Sequence, residues 1–268
     1  MKIFNMYLLN DRSTFRIYGN ETFEFLQSLV TADITPLKEN KAVASCLLSA
    51  QGRVMYDFIL YPEGNDEFSC VVDCHYLEKD ELIKKISMYK LRSDVEIEDN
   101  INLNVAASAS KDTYFILDPR HKDMPYRYLI NKNNKNLLKD KDSEYLKSRL
   151  NLCISEGPKE ILRGEALPLD FWMDKTNQVS FSKGCFIGQE VTARIFHKNK
   201  IRRRLIVVEF NEIDIDNQNL PKNFKFINRI GDYLLLLAPL DFIEEFEEIN
   251  IKCQIELYDK KYNFHYYN

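Results

Sequence analysis

Cys185 stands in the run Lys183-Gly184-Cys185-Phe186-Ile187-Gly188-Gln189-Glu190, the stretch where residue types and spacing could do chemistry. The run joins an extended segment, Val179-Ser180-Phe181, to a helical pattern from Glu190 to Ile195. Glycines permit a tight backbone at such a junction. Free N–H groups at a helix start carry partial positive charge, and a thiol near them and near an ammonium group loses its proton more readily. The reading of Cys185 is therefore a reactive thiol, with Lys183 assisting and Gln189 and Glu190 orienting the helix start or bonding near the sulfur. The competing reading is a small apolar core residue at a strand-to-helix corner.

Of the 6 cysteines, the others lie at 46, 70, 74, 153 and 253. Cys70, Cys74 and His75 have a spacing that suits a metal. However, Phe68–Asp73 reads as a strand and no second ligand pair at zinc-finger spacing follows, so these residues read as structural and no metal is expected. From His197 to Arg204 the chain is basic, which suits phosphate contact or a solvated loop.

The elements that would position these groups follow from hydrophobic period. Glu21–Val30, Leu77–Tyr89, Glu144–Asn151 and a segment starting near Ile187 show helical spacing. Phe15–Tyr18, Ala42–Leu48, Arg53–Tyr61, Phe68–Asp73, Val95–Ile97, Leu103–Ala106 and Tyr114–Leu117 read as strands. Ser49-Ala50-Gln51-Gly52 reads as a hairpin turn, Asn131–Asp142 as a polar loop, and Gly157–Asp174 as irregular. Leu205–Phe210, Tyr233–Leu237 and Ile251–Tyr258 suggest a small β module beyond a boundary near 200.

With 268 residues, 45% of them hydrophobic, the chain can bury a sizeable core. A net charge of −4 argues against a strongly basic nucleic-acid binder. No apolar run is long enough to span a membrane and no secretory signal is evident, so no membrane partner and a cytoplasmic location are expected.

The motif resembles the K-G-C-[YF]-x-G-Q-E signature of the YgfZ-type folate-binding proteins, relatives of the glycine-cleavage T-protein. Other segments are similar to family motifs in order. Phe25–Ile34 resembles F-L-Q-G-L-x-T-N-D-[VI], Leu47–Phe58 resembles L-L-x-P-Q-G-[KR]-x-x-x-D-F, and Lys90–Val95 resembles Y-x-L-R-x-x-V. Asp118-Pro119-Arg120 with Arg127 resembles D-x-R-x-x-x-L-G-x-R, and Arg149, Pro168 and Asp174 then fall in family order. The likeness runs from about residue 12 to 205. The chain departs from the pattern at Ala50 and Ser155, where proline is usual, at Pro125 and Cys153, where glycine is, and at Asp170, where glutamate is frequent.

The resemblance implies an α+β, T-protein-like fold: mixed subdomains over residues 1–200 around a central folate-binding opening, with a small C-terminal β-barrel-like module at 201–268. It implies a tetrahydrofolate-binding accessory protein for iron–sulfur enzymes, including tRNA-thiolating ones, rather than a conventional enzyme. Iron–sulfur client or assembly proteins are the implied partners, with a weak tRNA contact in reserve. A folate needs a carboxylate or amide for its ring N–H groups, apolar walls for its benzoyl ring, and cations for its tail. Asp57 and Asp170 are the carboxylate candidates. Arg194 and Arg204 are the tail candidates, with Arg149 and Lys200 behind them. Trp172, Phe171, Phe181 and Phe186 are candidate walls. Against each stands a structural reading: an exposed strand carboxylate for Asp57, a turn contact for Asp170, a pair with Glu190 for Arg194, and core packing for the aromatics. One alternative is a glycine-cleavage-type aminomethyltransferase, disfavoured by Tyr56, which replaces the first acid of the T-protein pair. Another is a tRNA-binding module.

Overall fold

Pairing of the apolar segments builds three antiparallel sheets in the computed structural model, which describes residues 6–63, 66–109, 116–133, 142–209, 220, 223–247, 254–257 and 260–265. The first sheet has the order β3-β4-β5-β2-β6, from β2 (Arg12–Tyr18), β3 (Val43–Leu48), β4 (Val54–Glu63), β5 (Asp66–His75) and β6 (Glu96–Glu98). Helix α1 (Thr22–Leu29) buries Phe25, Leu26 and Leu29 against it, and α2 (Lys79–Lys90) buries Leu82 and Ile86. These are the apolar positions of a helical period, so sequence spacing alone sets which helix face meets the sheet.

A second sheet pairs β1 (Met6–Leu8), β7 (Leu103–Ser108) and β8 (Tyr126–Asn131), with α3 (Asp142–Asn151) nearby through Tyr145. Helix α4 (Gln189–His197) then leads into the third sheet, ordered β10-β11-β9-β13-β12. Its strands are β9 (Arg203–Glu209), β10 (Lys225–Ile230), β11 (Tyr233–Pro239), β12 (Gln254–Leu257) and β13 (Lys260–His265), with helix α5 (Leu240–Glu247) after β11. The core of this sheet is continuous with the irregular segment before it. Leu205–Val208 and Leu234–Ala238 pack with Leu150, Phe171, Trp172, Met173 and Phe186.

Several boundaries differ from the sequence reading for local reasons. Helix α2 starts at Lys79 because the Leu77 N–H turns back to His75 Nδ1 and the Glu78 N–H to His75 O. Of the strand expected at Tyr114–Leu117, residues 114 and 115 lie outside the described residues, and Ile116 makes only an isolated bridge to Arg127. Residues 134–141 of the expected polar loop, and 210, 251–253 and 258 of the expected strands, also lie outside them. β8 was not expected because Arg127, its second residue, is a charged residue held at 0% exposure.

Cys153 has a left-handed φ of 52°, where glycine is the residue without a steric penalty. The glycine usual at this place in the resembled family thus has a backbone reason. The cysteine side chain compensates by filling the core at 0% exposure.

Candidate functional site

The motif loop is fixed at both ends and open in its middle. Lys183 reaches the end of α1, donating from Nζ to the carbonyls of Val30 at 2.7 Å and Ala32 at 2.8 Å. Carbonyls beyond the last turn of a helix lack in-helix partners and attract a cation. Burial pushes the lysine down to about 8, and Nζ lies 5.5 Å from the centroid of the Phe186 ring. Phe186 is buried and anchors the loop in the core, whereas Cys185 is exposed.

Gly188 makes the following turn. Its φ is 78°, and a Cβ there would lie 2.4 Å from the Ser49 carbonyl oxygen. The glycine therefore lets the motif pack against the β3–β4 hairpin, where Gly52 in turn approaches Val191 and Gly188. A Gly188→Ala variant should lose at least about 1–2 kcal/mol from the left-handed backbone alone, with the contact to Ser49 adding to it. Thermal melting checks this; an unchanged midpoint refutes the packing role.

Two expectations about the thiol are corrected here. The helix begins at Gln189, two residues past Ile187, and the Gln189 N–H at its start bonds the Phe186 carbonyl rather than the thiol. The Lys183 ammonium is directed at backbone carbonyls and serves as a loop anchor. Glu190 and Arg194 are both exposed on α4, and the pair between them weighed from the sequence does not form. Gln189 is half-buried, and its backbone N–H bonds the Phe186 carbonyl at 3.2 Å.

The other thiols are of a different kind. Cys46, Cys70, Cys74 and Cys153 are all buried, and burial pushes Cys46 and Cys70 up to about 12. Cys185 is the one exposed thiol among the described residues; Cys253 lies outside them.

The expected folate residues are divided by the fold. Asp170, Phe171 and Lys200 come together on a cavity of about 520 Å³, joined by Arg53 from the hairpin turn, Arg203 from β9 and Lys225 from β10. Leu167, Ile195 and Ile227 give it apolar walls. Burial pushes the Asp170 carboxyl up to about 6, opposed by Arg204, Arg203, Arg53 and Lys225.

The remaining candidates are spent elsewhere. Arg204 is buried, bonds Asp174 at 2.6 and 2.9 Å and the Leu169 carbonyl, and stacks 4.3 Å from the Trp172 ring. Trp172 is buried too, donating from Nε1 to the Leu205 carbonyl at 2.8 Å. These two residues lock the third sheet to the segment before it. Arg149 bonds Glu160 at 2.6 Å and the Ile154 carbonyl inside the protein. Asp57 is buried rather than exposed, accepts the Gly157 N–H at 3.0 Å, and burial raises its pKa. Tyr56 lies 4.8 Å beneath Arg163. Phe181 stacks on Phe196 at 4.0 Å and lines a second cavity of about 730 Å³.

Sequence reasoning missed two features. Glu78 is buried and pushed up to about 7, first by burial and then by the charge on Asp57. A buried ion network also joins Arg12, Asp73, Arg120, Arg127, Asp118 and Glu156. Asp118, Arg120 and Arg127 stood among the resembled positions, but no local signal marked their partners Arg12 and Asp73.

No protein-family model matches the chain. It is similar to the mitochondrial iron–sulfur cluster assembly factor IBA57 of Mus musculus, with 32% identity over 75% of this chain and 65% of that protein. The Homo sapiens counterpart is 31% identical over 75% of this chain and 65% of its own length. A Dictyostelium discoideum homologue is 27% identical over 79% of this chain and 64% of its length. The chain thus spans somewhat less than two thirds of these relatives. Among solved structures, the glycine cleavage system aminomethyltransferase T from Bartonella henselae superposes with a TM-score of 0.69 at 11% identity, covering 98% of this chain and 84% of that one. The cytoplasmic location expected from the sequence is overturned by the relatives, which are named mitochondrial. The physical basis for it was weak, since the lack of a membrane-length apolar run and of an evident secretory signal does not say which compartment holds the protein.

Proposed function

From the premise that this chain is a YgfZ-type homologue of the IBA57 iron–sulfur cluster assembly factors, on the fold of the glycine-cleavage T-protein, we propose that it is an accessory factor in maturing iron–sulfur enzymes. The observation that carries the reading is the exposed Cys185 on a loop braced by Lys183 and Gly188. A thiolate is the usual protein ligand of an iron–sulfur cluster, and such clusters take ligands from several side chains. Cys185 therefore contributes one ligand while a partner protein contributes the rest. Client enzymes under this reading include those that thiolate tRNA.

We propose further that a tetrahydrofolate is held in the 520 Å³ cavity. The fit rests on its residues: the Asp170 carboxyl for ring N–H groups, Phe171 with Leu167 and Ile227 as walls, and Lys200, Arg203 and Arg53 for the tail. The volume is within the range of small-molecule sites. A reduced folate, when bound, supplies a redox-active pterin ring or carries a one-carbon unit. The cavity residues bind and orient it, and the buried Asp57 and the tyrosine at 56 favour this accessory role over aminomethyl transfer.

Asp170 accepts a pair of ring N–H groups on its two oxygens only when ionised, since the protonated form turns one oxygen into a donor. With its carboxyl at about 6, tetrahydrofolate affinity should fall about tenfold between pH 7.5 and pH 5. Titration by fluorescence quenching reads this, and Asp170→Asn should weaken binding at pH 7.5 and flatten the pH profile. Cys185→Ala should bind folate like the wild type. Wild-type affinity in Asp170→Asn would remove the cofactor from this cavity.

A further inference from the structure

Glu78 stands at the start of α2, where an ionised carboxylate is drawn to the free N–H groups of the first turn. Its side chain makes no such bond. It is buried instead, at 2% exposure, and its Oε2 has no hydrogen-bond partner among the described residues. Oε1 has Arg163 Nη2 at 3.4 Å, and Nη1 of the same arginine is bound to Glu81. A buried carboxylate oxygen without a donor is unfavourable, and a proton on it removes the charge that needs solvating.

The surroundings hold too little countercharge to keep every carboxyl ionised. Arg12, Arg120, Arg127 and Arg149 are paired with Asp73, Asp118, Glu156 and Glu160, so these buried arginines are matched one for one. Asp57, buried on β4, is outside those pairs and accepts the Gly157 N–H at 3.0 Å. Arg12 and Arg120 act on it from a distance, with Glu156 opposing them. Glu78 shares Arg163 with Glu81, Tyr56 lies beneath that arginine, and Lys79 is turned to Asp99 at 2.6 Å. Burial lowers the pKa of His75, at the end of β5, which keeps that ring neutral. Burial and then the charge on Asp57 push Glu78 up to about 7, and burial raises Asp57 as well.

Both carboxyls fasten one segment, residues 157–166, to the first sheet. Gly157 gives its N–H to Asp57, and it has a left-handed φ of 69° where a Cβ would lie 2.6 Å from the His75 ring. Arg163 reaches Glu78 and Glu81, and the Gly164 N–H and Ala166 carbonyl bond Val54 at 2.8 and 2.9 Å. The same segment supplies Leu162, Glu165 and Ala166 to the cavity of about 520 Å³. We propose that Glu78 and Asp57 hold one proton between them, and that its loss loosens this segment: a proton-operated switch in the wall of the cavity. Two like charges then lie where water does not screen them, and the segment covering them is the part that can open to admit it. Neither Cys185 nor a bound folate takes part, so failure of the switch leaves those readings standing.

The sign of the effect is fixed. Glu78 in the folded protein keeps a proton that the unfolded chain gives up near 4.5, so this group lowers stability as pH rises from about 4.5 to about 7 and changes nothing above that. Glu78→Gln is neutral in both states and lacks the fall. In urea unfolding of the full chain, the folding constant of Glu78→Gln relative to wild type should be at least about tenfold larger at pH 7.5 than at pH 5. Carbon-13 NMR with carboxyl-labelled glutamate reads the proton directly. One resonance should titrate near neutrality, vanish in Glu78→Gln, and titrate at lower pH in Asp57→Asn, where the neighbouring charge is gone. Hydrogen exchange, corrected for intrinsic rates, reads the segment: the Gly157 and Gly164 amides should lose protection between pH 6 and pH 8 in wild type and keep it in Glu78→Gln. A glutamate spectrum with no resonance titrating above pH 6 would overturn the proposal. So would a relative folding constant that is the same at both pH values, or protection at Gly157 and Gly164 that ignores the titration. If Glu78→Gln does not fold, the wild-type and Asp57→Asn spectra and the wild-type exchange profile decide the matter.

Discussion

Cells in which Cys185→Ser replaces the wild-type protein are expected to lose the activity of cluster-dependent client enzymes down to the level without the protein, while the variant stays folded and abundant. Both halves follow from the position of the side chain. Cys185 is exposed, and a surface substitution of sulfur by oxygen costs within about 0.5 kcal/mol. Serine keeps the shape but is a poor ligand for iron, so the functional loss is chemical. No described thiol can take over. Cys46, Cys70, Cys74 and Cys153 are sealed in the core, and a buried thiol pushed up to about 12, as at Cys46 and Cys70, is neither an available thiolate nor reachable by a partner. The same contrast gives a readout without cells. Iodoacetamide on the native protein should modify Cys185 ahead of those four, and mapping of labelled peptides should show that site vanish in Cys185→Ser. Full client activity in Cys185→Ser would end the ligand hypothesis; labelling of the core cysteines at the same rate as Cys185 would end the structural premise beneath it.

What the sequence could reveal about this site depended on how local the physics was. The motif was legible because its constraints lie within a few residues: Gly188 needs a left-handed φ, Phe186 needs the core, and Cys185 needs neither. The β3–β4 hairpin and helices α1 and α2 were legible because burial of one face imposes a period. The direction of Lys183 was not legible. Its neighbour in sequence is Cys185, but its neighbours in space are the carbonyls of Val30 and Ala32, more than a hundred residues away in the chain. Arg204 is the same case. An arginine in a basic run reads as a free tail-binding cation, yet Asp174 and the Trp172 ring claim it. The alternative weighed for Asp57, an exposed strand carboxylate, fails because β4 is buried along most of its length, which its own residues do not signal.

Arg127→Ala is expected to cost about 3–5 kcal/mol, the largest stability loss at any single position of the described network. Arg127 is at 0% exposure, bonds Asp73 at 2.7 Å and the Tyr61 hydroxyl at 2.7 Å, and stands 3.4 Å from Asp118 and from Glu156. It also bonds the Tyr145 hydroxyl. Asp73 and Tyr61 belong to the first sheet, Arg127 to the second, and Tyr145 to α3, so one guanidinium ties three elements together. Removing it leaves buried carboxylates with less countercharge, and that penalty exceeds the net worth of the pair when both partners are present. Arg12 at 2.6 Å from Asp73 and Arg120 at 2.6 Å from Glu156 remain in the variant, which keeps the estimate from rising further. The pH dependence has a definite sign. Arg120 and its neighbouring arginines hold Asp118 below its ordinary range, and Arg120, Arg12, Arg149 and Arg127 hold Glu156 well below it, both against burial. Groups with depressed folded pKa values contribute stability above their unfolded pKa, about 4, and lose it as pH falls through the folded value. The gap between wild type and Arg127→Ala should therefore be full at pH 7 and shrink as the pH drops below about 4. Urea unfolding at several pH values measures it, and a gap below about 1 kcal/mol at pH 7 would mean the sheets are held together by their apolar contacts alone.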